Sequence, residues 1–339
     1  MPRIICLYTF ILLLYACSDA EQAQVLEGFA QGTTYHISFY PADSAVDIEQ
    51  LHRAVTAELD AIDRTMSGYR NDSTIEQFNQ AEDTDSHQVG SEIDKLVKIA
   101  AEIAGASGGC YDLTVKPLFD LWGFKDDRFS SPDQQQIKEV MKSIGMAKVD
   151  IQLPDRLRKQ DPMIEIDLSS IAQGYTAARL AKILDRSSIR DYMVEIGGEV
   201  VVAGQKPGGL PWRIAIERPL SGERTVEKVV SIRSAKSLAV VTSGTYRHFF
   251  DEDGVRYSHI LDARTGSPVQ HDTVSVTVFH DDASYADAWS TALLCLGNEA
   301  GVTLANRLDI PALFIQQDDH ELTETQSDAL LQYTGINIE

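Results

Sequence analysis

The chain has 339 residues, 43% hydrophobic and 24% charged, a composition that suits a globular protein and excludes a disordered or collagenous one. Asp and Glu number 51 against 30 Lys and Arg, a net charge of −21, which argues against nucleic acid as a partner. An anionic substrate would meet a repulsive overall field, so a local cation or backbone donors must hold it.

In chain order, Arg3 and the apolar run from Ile4 to Tyr15 read as a leader too short to span a bilayer. The run ends in LYAC, which looks like a bacterial lipoprotein box with Cys17 as the lipidated residue; the plainer reading is an ordinary signal peptide cut nearby. The expected organisation is a signal peptide over 1–16, a lipid anchor and tether over 17–27, and one globular domain of one or two lobes over 28–339. That places the protein on the bacterial inner membrane, facing the periplasm. Of the four cysteines only Cys110 and Cys295 then remain in the body. An oxidising compartment permits a bridge between them, but two buried, inert thiols are the expectation.

GFAQGTTYHISFY alternates as a strand entered through Gly28 and Gly32. Ile48, Leu51, Val55, Leu59, Ile62 and Met66 repeat at three and four, an amphipathic helix. SGYRNDS is a loop before a short helix, and a second helix covers 91–104. Ser131-Pro132 starts another helix, which Gly145 can cap. AKVDIQL and MIEIDLSS are predicted strands, the second running straight into a helix over IAQGYTAARLAKIL. From Tyr192 onward strand-like runs dominate, including VEIGGEVVVAG, WRIAIERP, SLAVVTSG and DTVSVTVF, with helices near 283–296 and 298–307 and a last strand at IPALFI. Strands in runs mixed with helices indicate α+β, with mixed or antiparallel sheets, rather than a doubly wound sheet. Trp122 and Trp212 read as core.

Four constellations carry chemistry. Asp287 and Thr291 are four apart on a predicted helix, so their oxygens leave one face, and carboxylate and hydroxyl oxygens are hard ligands of the kind Mg²⁺ accepts. By chance such a pair usually marks a solvated or capping face. Thr242, Ser243 and Gly244 form a strand running into a hydroxyl-rich turn, and His259 ends an alternating stretch ahead of Asp262 and Arg264. A lone strand histidine is more often structural than a base. DLSSIAQGY sets Asp167, Ser169, Ser170 and Gly174 at a strand-to-helix junction whose N–H groups suit an anion, or simply cap the helix. Together these read as a phosphate site with a metal. Tyr69 and Tyr111, on residues alone, are partly buried core.

The segments TSGTYRHFF, HILDARTGSP and ADAWSTALLCLG resemble the ApbE-type FAD:protein FMN transferases. GTTYHI, SGYRNDSTIEQFN, GGCYDLTVKPLFDLWGF, DLSSIAQGY, VEIGGEV and WRIAIERP extend the resemblance in family order. It implies a T-fold-like α+β catalytic domain that moves FMN from FAD to a threonine of another protein with Mg²⁺, releasing AMP. It implies acceptors such as flavoprotein subunits of sodium-pumping or related electron-transfer complexes. It also implies FAD contacts from Gln31, Tyr69, Cys110, Tyr111, Asp112, Asp167, Gln173, Thr242, Ser243, Gly244 and Ile260. The metal would take oxygens from Ser170, Asp287, Ser290 and Thr291, and His259 would accept the hydroxyl proton. Gln173, Ala178 and Ala263 depart from the family pattern, which often has Lys or Glu, Asp, and Pro there. An FAD diphosphatase and a non-catalytic flavin-binding lipoprotein are the alternatives.

Overall fold

The computed structural model describes residues 22–41, 46–220, 225–318 and 321–339. Cys6, Cys17 and the leader lie outside the described residues. The chain enters through β1 (Gln24–Ala30) and β2 (Thr33–Tyr40), an antiparallel hairpin turned at Gln31 and Gly32, both at positive φ. Residues 24–27, expected in the tether, are therefore sheet, and GFAQGTTYHISFY spans a turn rather than one strand.

α1 (Ile48–Met66) buries the expected stripe of Leu51, Val55, Leu59, Ile62 and Met66, and Asp47 caps it by accepting from Gln50 N at 2.9 Å. α2 (Thr74–Gln80), β3 (Ser86–Gln88), α3 (Gly90–Ala106), α4 (Lys116–Trp122) and α5 (Gln134–Val140) follow, α5 opening on an Asp133 capping box. β5 (Arg156–Lys159) pairs with both β3 and β4 (Val149–Gln152). The predicted strand over MIEIDLSS does not form. Asn79 Nδ2 donates to Ile166 O at 2.9 Å, Ile166 N donates to Asn79 Oδ1 at 2.8 Å, and Asp167 N donates to Leu113 O at 2.7 Å. A side-chain amide and a loop carbonyl thus take the groups a neighbouring strand would need.

The second half brings α6 (Ser169–Arg186), β6 (Asp191–Ile196), β7 (Glu199–Gly204), β8 (Trp212–Glu217), β9 (Val226–Ile232) and β10 (Ser234–Gly244). Short hairpin strands β11 (Phe249–Glu252), β12 (Val255–Ser258), β13 (Leu261–Asp262) and β14 (Ser267–Pro268) precede β15 (Thr273–His280). α7 (Ala283–Arg307) is one helical run broken at Gly297 (φ 75°), where two helices were expected. β16 (Ala312–Asp318), β17 (Glu321–Gln326), α8 (Asp328–Leu331) and β18 (Ile336–Ile338) close the chain.

β1-β2-β6-β7-β10-β15-β16-β17 form one antiparallel sheet. Its strands alternate between two cores, as period two requires. Val201 and Ala203 of β7, Ala239 and Val241 of β10, and Val276 and Val278 of β15 face the helices α1, α3, α6 and α7. Val200, Val202, Leu238 and Val240 face the other way, onto Trp212 and the small sheet β18-β9-β8. The fold is α+β, as the residues indicated. Both predicted core tryptophans are buried, with Trp122 Nε1 donating to Gly266 O and Trp212 Nε1 to Ala203 O, each at 2.9 Å.

Candidate active site

A cavity of about 320 Å³ opens where α6 and α7 cross over the helix-facing side of β7 and β10. The crossing is close because Gly174 has no side chain: a Cβ there would stand 2.2 Å from Ala283 O and 2.7 Å from Asp287 Cβ. At that approach Gly174 N donates to Asp287 Oδ2 at 2.8 Å. Burial pushes the Asp287 carboxyl well above the usual carboxylate range, and this one hydrogen bond only partly opposes it.

The neighbouring wall is made of hydroxyls. Ser243 Oγ lies 2.7 Å from Ser290 Oγ and 3.0 Å from Thr291 Oγ1, and Ser290 Oγ donates to Asp287 O at 2.8 Å. Ser243 shares the helix-facing phase of Val241, so its side chain meets α7. Thr242 has the opposite phase, and its hydroxyl pairs with Thr277 Oγ1 at 2.8 Å across the sheet's far face. Thr242 and Gly244 therefore offer the cavity backbone.

Across the cavity lies the loop after α3. Tyr111 is buried, its hydroxyl 3.2 Å from Ser170 Oγ, and burial raises its phenol. Asp112 accepts from Thr114 N and Met146 N at 2.8 and 2.7 Å, so both its oxygens already brace the loop. Asp167 accepts from Ser169 N at 2.8 Å, bracing the entry to α6, and lines the cavity. Cys110 and Cys295 are joined in a disulfide, which corrects the expectation of two free thiols. Sequence reasoning had no access to their 6.0 Å Cα separation, because the two stand 185 positions apart in the chain.

His259, like Ile260, lines the same cavity. Its Nδ1 bonds His248 O at 2.9 Å, and a carbonyl only accepts, so Nδ1 carries the proton and Nε2 holds a lone pair. Burial pulls this histidine down to about 4, and its ring lies 5.6 Å from that of His248. Arg264 pairs with Asp262, with Nη2 to Oδ2 at 2.7 Å. Arg247 lines the cavity but reaches Glu217 Oε2 at 2.8 Å.

The cavity thus gathers the predicted Cys110, Tyr111, Asp112, Asp167, Ser170, Gln173, Thr242, Ser243, Gly244, His259, Ile260, Asp287 and Thr291. Three others are not among its lining residues. Gln31 sits in the β1–β2 turn and donates to Thr176 Oγ1 at 2.8 Å; Tyr69 is 94% exposed on the α1–α2 loop; Ser290 is buried behind Ser243. Sequence reasoning passed over Glu199, Gly197 and His248, which do line it. Glu199 carried a usable signal: an acid in phase with the core residues Val201 and Ala203, directly after a Gly-Gly turn.

A match to the ApbE family runs from residue 31 to residue 314. The chain belongs to the ApbE family. Among ApbE proteins it is similar to the FAD:protein FMN transferase of Vibrio cholerae, 35% identical over 319 residues and 94% of each chain, and to that of Klebsiella pneumoniae, 38% identical over 83% of this chain and 81% of the relative. Solved ApbE structures carry the same fold. Flavin transferase ApbE from Vibrio cholerae matches with a TM-score of 0.84 at 34% identity, covering 92% of this chain and 99% of that one. The apo form of Pseudomonas stutzeri flavinyl transferase ApbE matches at 0.84 and 33%, covering 93% and 98%. These relatives are transferases, and this ApbE chain is one.

Proposed function

We propose that the chain transfers FMN from FAD to a threonine hydroxyl of an acceptor protein and releases AMP. The observation that carries the reading is the joining, in one cavity, of a histidine held with Nε2 free of its proton and a buried carboxylate set among hydroxyls. His259 Nε2 takes the threonine proton. The threonine oxygen then forms a bond to the FMN-side phosphorus, the bond from that phosphorus to the bridging oxygen breaks, and AMP leaves with the electron pair.

The backbone of Thr242 and Gly244 and the N-terminus of α6 line the side where phosphate oxygens would sit. Tyr111 offers an aromatic surface within the same cavity. The donor set of Asp287, Thr291 and Ser170 consists of hard oxygens and fits Mg²⁺, with Ser290 behind them. Bound there, Mg²⁺ would neutralise charge on the diphosphate oxygens.

The acceptor is a flavoprotein subunit of a sodium-pumping or related electron-transfer complex, and the enzyme is lipid-anchored through Cys17 on the periplasmic side of the inner membrane. A buried disulfide suits that oxidising compartment. Incubation with FAD and Mg²⁺, with and without an acceptor domain, tests the activity: AMP release should require the acceptor, and flavin should migrate with the acceptor on a denaturing gel. Equal AMP and free FMN without an acceptor would overturn transfer in favour of hydrolysis. Replacing Cys17 with Ala should move the protein out of the membrane fraction, and unchanged fractionation would refute the anchor.

A further inference from the structure

Glu199 opens β7 directly after the Gly197–Gly198 turn, and Ile196 is its partner across the hairpin. Its phase matches that of Val201 and Ala203, so its side chain lies on the helix-facing side of the sheet, inside the cavity. The residue is 8% exposed, and its Oε2 is buried with no hydrogen-bond partner. Gly197 explains how the carboxylate fits. A Cβ there would lie 3.0 Å from Glu199 Oε2 and 2.6 Å from Gln173 Nε2, so the glycine leaves room for both to converge.

Four carboxylates line this cavity, those of Asp112, Asp167, Glu199 and Asp287. Asp112, Asp167 and Asp287 each accept from backbone N–H groups. Among the described lining residues the only Lys or Arg is Arg247, which is drawn to Glu217 Oε2 at 2.8 Å and Gly197 O at 3.4 Å. A buried carboxylate oxygen with no donor is costly unless a cation or proton joins it. Glu199 Oε2 presents that need, and it does so in the same cavity as the Asp287 carboxylate.

We propose that Glu199 is a further carboxylate of the divalent-cation site, holding the ion together with Asp287. The inference rests on the transferase reading of this cavity and adds a residue to it. It also assigns Gly197 a purpose, since any side chain there would push Glu199 Oε2 away from the ion.

The test is Mn²⁺ binding to the whole chain, followed by the loss of free-ion paramagnetic resonance signal, for the wild type, Glu199→Gln, Glu199→Asp and Asp287→Asn. Glu199→Gln keeps the shape and removes the charge, and should weaken Mn²⁺ about 10- to 100-fold. Glu199→Asp keeps the charge one methylene short and should fall between glutamine and wild type, so a misfolded glutamine variant does not leave the matter open. Melting without metal should not drop in Glu199→Gln, because a buried charge has been removed, whereas the Mn²⁺-dependent rise in melting temperature should shrink. Wild-type Mn²⁺ affinity in Glu199→Gln, alongside lost affinity in Asp287→Asn, would overturn the role of Glu199 and leave the transferase reading standing. Unchanged affinity in all three variants would overturn the cation site itself.

Discussion

Replacing Gly174 with alanine tests whether the close crossing of α6 and α7 is what assembles the oxygen cluster. The added carbon would stand 2.2 Å from Ala283 O, a backbone atom that cannot rotate away, so the helices must part. Overpacking of this kind costs about 1–3 kcal/mol. Alanine recovers about 1 kcal/mol through its helix propensity, which leaves a net loss of up to about 2 kcal/mol. Gly105 on α3 supplies the control, since a Cβ there meets no heavy atom within 4 Å. Gly105→Ala should therefore stabilise by a few tenths to about 1 kcal/mol. Urea denaturation of both variants should give midpoints shifted in opposite directions. Parting the helices also draws Gly174 N away from Asp287 Oδ2, now 2.8 Å apart, so FMN transfer should fall in Gly174→Ala and hold in Gly105→Ala. A Gly174→Ala protein as stable and as active as the wild type would refute the reasoning.

His259→Asn should retain FAD and lose about 10²- to 10⁴-fold in single-turnover transfer; near wild-type transfer would remove His259 as the base. Because burial pulls His259 down to about 4, it is already neutral at pH 6, and its acid limb should appear near pH 4 to 5; a limb at pH 6.5 that vanishes in the variant would contradict the burial argument. The Asp287 carboxyl is raised above its unfolded value, so its stabilising contribution is full below about pH 4 and is lost as pH rises toward neutrality. Urea titrations in chelator at pH 5 and 8 should therefore show a smaller loss of stability for Asp287→Asn than for the wild type, and equal losses would count against it. Cys295→Ser should free the Cys110 thiol and cost about 2–5 kcal/mol of stability; labelling of Cys110 and Cys295 themselves in the denatured, unreduced wild type would show that the bridge is absent.

Periodicity found what periodicity governs. The α1 stripe, the strand runs from Tyr192 onward and the i, i+4 pair on α7 are local patterns set by geometry within one element. MIEIDLSS failed as a strand because Asn79, far away in sequence, supplies the pairing that a strand would have supplied. The same distance hid the disulfide. Asp112 was read for its chemistry, yet its oxygens hold Thr114 N and Met146 N, the second more than thirty residues away. The clustering of Ser243 with Ser290 and Thr291 depends on how a strand and a helix pack, and family resemblance rather than spacing brought those segments together.

Asp287, Thr291 and Cys295 are spaced by four along α7, and the third is bonded covalently to the loop that carries Tyr111 and Asp112. A helix seated only on apolar side chains can roll slightly by changing rotamers. This one is keyed, because the sulfur lies on nearly the same stripe as the two oxygen donors and fixes the roll angle of that stripe. Inserting or deleting one residue between 291 and 295 would turn both donors about 100° from the sulfur. No arrangement would then satisfy bridge and cavity together. Bridge and donors thus share one register: with the bond closed, α7 presents Asp287 and Thr291 to the cavity.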